Sequence, residues 1–150
     1  MEEPHIHQRL WEVSKEGDVA VIGSLLEAGA DPNKYRDGKG YSALIRAASK
    51  GHRAAALQLV SHQANVSEVT NTGWTALHWA AFNGDTPMVL SLMLWGANPQ
   101  HKASNDGKTP AEVAKMHDHV DIVRLGVTTH IISSLICHTF NSGSWKVMSM

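Results

Sequence analysis

Apolar side chains return along this chain at helical rather than strand spacing. Val21, Ile22, Leu25 and Leu26 form one set and Met88, Val89, Leu92 and Met93 another, each at i, i+1, i+4 and i+5, which puts one apolar stripe on a helix. Shorter apolar segments stand between them, Leu44 with Ala47 and Ala48, and Leu77 with Ala80 and Ala81. Ser42, Thr75 and Thr109 sit where a hydroxyl accepts from the first free amides of such a segment, and Thr109 with Glu112 has the spacing of a capping box. Gly17, Gly51 and Gly84 stand where a left-handed residue ends a first helix. Pro87 fits the opening turn of a second helix, where its missing amide costs nothing. Neither helix of such a pair hides its stripe alone.

These features recur at a fixed distance. Gly73-Trp74-Thr75-Ala76-Leu77 is matched 33 residues upstream by Gly40-Tyr41-Ser42-Ala43-Leu44 and 34 downstream by Gly107-Lys108-Thr109-Pro110-Ala111. Glu16-Gly17-Asp18 and Gly29-Ala30-Asp31 supply a fourth copy at the N-terminal end. A period of this size predicts a solenoid, in which each unit buries its apolar face only against its neighbours. The units run over about 3–36, 37–69, 70–102 and, in part, 103–125.

Gly73-x-Thr75-Ala76-Leu77-His78-x-Ala80-Ala81-x-x-Gly84-Asp85, with Gly29-Ala30-Asp31-Pro32-Asn33 and Gly96-Ala97-Asn98, resembles the ankyrin repeat over residues 5 to 125. The resemblance implies an all-α stack of helix-turn-helix units with projecting β-hairpin or turn tips. It also implies a concave partner-binding face made of tips and first helices, and no catalytic activity common to the family. Thr75 and His78 carry a structural role in it, His78 tying repeats together through hydrogen bonds.

Composition agrees with one soluble domain of modest size. At 150 residues, with a net charge of -1 and a pI near 6.8, the chain has no large basic field for nucleic acid. Charge is uneven, however. Residues 2–31 carry seven acids against Arg9 and Lys15, residues 34–53 carry six bases against Asp37, and no Lys or Arg lies between Arg53 and Lys102. A single cysteine, Cys137, excludes an internal disulfide framework, and the start lacks the basic and apolar regions of a secretion signal. The expected setting is intracellular, in cytoplasm or nucleus.

Several stretches depart from the repeat. His5-Ile6-His7-Gln8 replaces the hairpin and cap of the first helix, and Trp11 either wraps the end of the core or faces a partner. Ala54-Ala55-Ala56 puts small residues where larger ones fill the second helix, which forgoes roughly 0.8 kcal/mol per methylene and predicts a weak point. Ile45 stands in the place of His78. Gly126 falls at an inner helix position, which costs about 1 kcal/mol in propensity and several more if a Leu-sized void results, and no repeat follows. Residues 126–150 are therefore expected to come from an alternative exon or readthrough. A corresponding alternative is a truncated splice product of a larger ankyrin-containing enzyme or scaffold, of kinase, ubiquitin-ligase or zinc-finger type. As a membrane segment the tail falls short of the roughly 20 apolar residues required.

Candidate chemistry is sparse. His5-x-His7 and His117-x-His119 do not share a helical face at i, i+2, and no acidic or cysteine cluster completes a metal site, so no metal or other cofactor is expected. No nucleophile elbow, phosphate loop or paired acids are present, so no catalytic residue is assigned. Trp79 reads as packing between first helices, while Trp74 and Phe82 align with inward-pointing positions. The expected partner-binding face comprises Tyr35, Lys39, Tyr41, Lys50, Val69, Asn71, Trp74, Phe82, Asn83 and Lys108. Bases beside aromatics predict a partner protein segment with acidic and apolar residues side by side, and the chain is expected to be a monomer. No nucleic acid, membrane or small-molecule substrate is expected.

Overall fold

The computed structural model of the protein describes residues 5–126. Seven helices follow one another as α1 (Ile6–Glu16), α2 (Val19–Glu27), α3 (Ala43–Ser49), α4 (Arg53–Ser61), α5 (Ala76–Asn83), α6 (Thr86–Leu94) and α7 (Pro110–Met116). Helical backbone resumes as α8 over residues 120–126. The first helices form one file, α1 on α3 on α5 on α7, and the second helices α2, α4 and α6 form another behind it. The structure is thus an all-helical stack in which contact is made between neighbours.

The core is the seam between the two files. Leu10, Leu44 and Leu77 from first helices meet Ile22, Leu59, Met88 and Leu92 from second helices, all of them fully buried. Ala47, Ala48, Ala80, Ala81 and Ala114 are equally buried, and their small side chains let successive first helices approach closely. In α4, Ala55 and Ala56 are inside the core while Ala54 faces solvent, so one of the three small residues forgoes no burial.

Helix ends follow the sequence closely. The side chains of Ser42, Thr75 and Thr109 accept from the backbone N–H groups of Ile45, His78 and Glu112, and those of Asp18 and Asp85 accept from Val21 and Met88. Gly17 and Gly84 close α1 and α5 at φ 80° and 71°. His5 caps α1 without a side-chain bond, and the entry to this helix is tied instead by His7 Nδ1, which accepts the Asp31 N–H at 2.9 Å.

Of the two forms expected, β-hairpin or turn, the tips take the turn, for no β-strand occurs among the described residues. Each tip is a turn closed by a backbone bond across its base: Asp37 N–H to Tyr41 O (3.2 Å), Thr70 N–H to Trp74 O (2.9 Å) and Ala103 N–H to Lys108 O (2.9 Å). Successive tips then join through single bonds, Asn71 N–H to Lys39 O (3.0 Å) and Asn105 N–H to Thr72 O (3.2 Å), too few to build a ladder. The next tip lies against the glycine of the previous one. A Cβ on Gly73, whose φ is 82°, would overlap Ser104, so position 73 requires glycine on both counts.

Gly126 packs closely against the preceding first helix. A Cβ there would stand 2.7 Å from the Ala111 Cβ, so the last helix pair closes through two small residues rather than around a Leu-sized void. A cleft of about 290 Å³ opens outward beside them, lined by Gln100, Lys115 and Val123 among others. The expectations placed on the segment from 127 to 150 lie outside the described residues.

Candidate functional site

One file of rings crosses the first helices from end to end. The Tyr35 and Trp11 rings meet edge to face at 5.9 Å. The Arg46 guanidinium lies 5.1 Å from the Trp11 ring and 4.0 Å from that of Tyr41. Tyr41 touches Trp79 at 5.9 Å, Trp79 touches Trp74 at 4.8 Å and Phe82 at 5.6 Å, and Phe82 meets His117 at 4.5 Å. Aromatic and cation–π contacts of this kind each contribute on the order of 1 kcal/mol beyond area burial.

Cap geometry explains why these side chains converge. Tyr41 and Trp74 immediately precede the N-caps Ser42 and Thr75, while Arg46 and Trp79 lie four residues beyond them. Residues so placed fold back on each other as a staple across the first turn. Trp74 with Trp79 is therefore a local pair, as is Tyr41 with Arg46, and Phe82 follows Trp79 on the same helical face. Stacking the units then brings Tyr41 of one staple against Trp79 of the next.

The file is fixed from beneath by polar bonds. His78 is fully buried; its Nδ1 accepts the Thr75 N–H at 3.2 Å and lies 2.8 Å from Thr75 Oγ1, and its Nε2 lies 2.9 Å from Lys108 O. A carbonyl only accepts, so Nε2 carries the proton and the ring is neutral, in keeping with the burial that lowers its pKa. Trp11 occupies the same register in the first unit and donates Nε1 to Tyr41 O at 2.8 Å. Asp37 is ion-paired with Arg46 through a 2.6 Å Nη2–Oδ2 contact. Burial acts to raise the Asp37 pKa, but the Tyr41 N–H, the Arg46 guanidinium and the Lys39 N–H outweigh it and hold the carboxyl below its ordinary value. Burial likewise raises the Tyr41 phenol, which stays protonated.

The structure brings Tyr35, Tyr41, Trp74 and Phe82 into the file, Phe82 being exposed and the other three half-buried. Lys39, Val69 and Asn71 lie on the tips, with the Asn71 amide donating to Gly38 O at 3.1 Å. Lys50 is exposed just past α3. Asn83 donates its amide to Ala48 O at 3.0 Å, and Lys108 reaches Asp106 at 3.2 Å. Among the structural candidates, Gly51 has φ 77° like Gly17 and Gly84.

Trp11, Arg46 and His117 were not among the residues expected on this face. Their signal lay in register: Arg46 falls where Trp79 does, and His117 where Asn83 does. Trp79 packs against Tyr41 of the preceding unit, and its Nε1 is buried without a partner. His117 and His119 leave the helix in a turn through Asp118, so their rings stack at 6.3 Å, and His119 Nε2 lies 3.0 Å from Phe82 O. Among the described residues no group of three metal-ligating side chains forms, and no helix is long and apolar enough to cross a membrane.

Comparison with known proteins agrees with this geometry. A family model for ankyrin repeats in three copies matches residues 10–103. The chain is 31% identical over 107 residues to human Rabankyrin-5, a match that covers 71% of the chain and 9% of that protein. It is 35% identical to the mouse B-cell lymphoma 3 protein homolog over 67% of the chain and 22% of that protein. It is 28% identical to mouse Protein phosphatase 1 regulatory subunit 27, over 74% of the chain and 71% of that protein.

Proposed function

The chain belongs to the ankyrin repeat family, whose members serve in general as non-catalytic protein-interaction modules, and on that premise we propose that it is an intracellular, monomeric adaptor. It binds a partner protein along the ring file of its first helices. The observation that carries this reading is the continuity of the file from Tyr35 to His117, with Tyr41 and Trp79 half-buried at its centre and Phe82 exposed beside them. Large aromatic side chains at a central, accessible position are the usual anchors of protein interfaces. Because caps, staples and tips hold them in place before binding, little ordering entropy opposes association. Lys39 and Lys50 at the margin favour a segment in which acidic and apolar residues alternate.

The test uses the full chain and whichever partner it captures. Trp74→Ala combined with Tyr41→Ala is expected to weaken that partner by at least tenfold. Leu94→Ser, at a residue 88% exposed on α6 and remote from the file, is expected to leave it unchanged. Loss with Leu94→Ser and retention with the double variant would place the interface on the opposite side and reject the reading.

A further inference from the structure

We infer that Arg46 reads a carboxylate of the partner segment, an inference that rests on the ring file being the binding surface. A guanidinium presents five N–H donors in a fixed fork. Asp37 engages Nη2, and Nε is buried without a partner. Nη1 donates to no described residue, and the Tyr41 hydroxyl makes no hydrogen bond among the described residues. Buried or half-buried donors are ordinarily satisfied, and those that are not call for an explanation. Here the under-used fork stands in a binding groove, held flat between the Trp11 and Tyr41 rings.

Position supports the same reading. Among the described residues Arg46 is the only Lys or Arg within the ring file, and Asp37 fixes its orientation without using its whole donor set. Asp37 offsets one positive charge, but Lys39 and Lys50 are exposed and form no ion pair among the described residues, which leaves this end of the groove positive. The remaining bases nearby are committed, Arg36 to Glu68 at 2.8 Å and Arg53 to Asp85 at 2.7 Å. An incoming carboxylate therefore meets a surplus of positive charge and a guanidinium donor, Nη1, whose orientation Asp37 fixes. Its neighbouring apolar residue then lies on Trp79 and Phe82. Arg46 becomes the residue that makes the groove selective for acid over amide, while the rings supply binding common to both.

The experiment is an array of synthetic nonapeptides with a central Phe and one Glu scanned through the other positions, beside the same array with Gln. The full chain is expected to bind Glu peptides about tenfold more strongly than Gln peptides at one or two offsets. Arg46→Met levels the two sets at those offsets, so that the ratio of Glu to Gln binding falls to about one whatever happens to binding as a whole. Arg46→Lys, which keeps the charge beside Asp37 but not the fork, retains only part of the preference; circular dichroism checks that both variants keep the helical content of the parent. A Glu preference that survives Arg46→Met, or equal binding of the two sets by the parent, overturns the role of Arg46 and leaves the groove as the binding surface. A parent chain that binds neither set overturns both.

Discussion

Trp11 donates its indole N–H to the carbonyl oxygen of Tyr41 at 2.8 Å, thirty residues on, and His78 makes the corresponding bond to Lys108 across the same thirty residues. Two chemically different rings thus fill one structural post, tying a first helix to the tip of the next unit. Ile45 holds that post in the second unit and has no side-chain N–H to offer. There the tie is made at the surface instead, by Asn71 on the tips, Asn83 on Ala48 and the Arg53–Asp85 pair.

Trp11→Phe keeps an aromatic ring and removes the bond. The chain is expected to lose about 1 kcal/mol, more if the Tyr41 carbonyl is left without water. Urea unfolding at neutral pH measures it, and an unchanged midpoint would mean that the ring, not its N–H, holds the first unit.

Acidification acts on His78. Burial lowers its folded pKa below the ordinary 6.5, so the unfolded chain takes up the proton first as the pH falls. Stability from this group is therefore complete above about 6.5 and lost below it. The stability margin of the parent chain over His78→Gln is expected to shrink from pH 7.5 to pH 5.5. A margin that stays constant or grows contradicts this.

Glycine at the ends of first helices separates two effects. Gly51 and Gly84 share a positive φ, but a Cβ on Gly51 meets nothing within 4 Å, whereas one on Gly84 would stand 2.6 Å from the His119 ring. Gly51→Ala is expected to lose about 1–2 kcal/mol for the left-handed backbone alone. Gly84→Ala should lose more, and the excess should vanish when His119→Ala is added. If the excess persists in that double variant, the ring is not its cause.

Asp85 has two roles that salt distinguishes. It caps α6 by accepting the Met88 N–H at 3.1 Å, and it pairs with Arg53, whose side chain is 47% exposed. Asp85→Asn preserves a capping oxygen and loses only the screened pair, about 0.2–1 kcal/mol at low salt and nothing near 1 M. Asp85→Ala also loses the cap, about 1 kcal/mol at any salt. Equal losses for the two variants in 1 M salt would show that the cap bond contributes nothing.

The sequence by itself determined the period, the helix pairs, the caps at Thr75 and Thr109 and the helix-ending glycines, because each depends on side chains within a few residues of the backbone they act on. It also aligned Tyr41 with Trp74 and set Phe82 one turn beyond Trp79, since those follow from register. Only the tertiary structure decided that Gly126 closes on Ala111, that the tips are turns without strands, and that Trp11 takes over the post of a histidine. It also decided that Arg46 sits clamped between two rings. Each of these is a contact between residues in different helices or units, and its outcome depends on how closely neighbouring units approach, a distance that no single segment of the chain encodes.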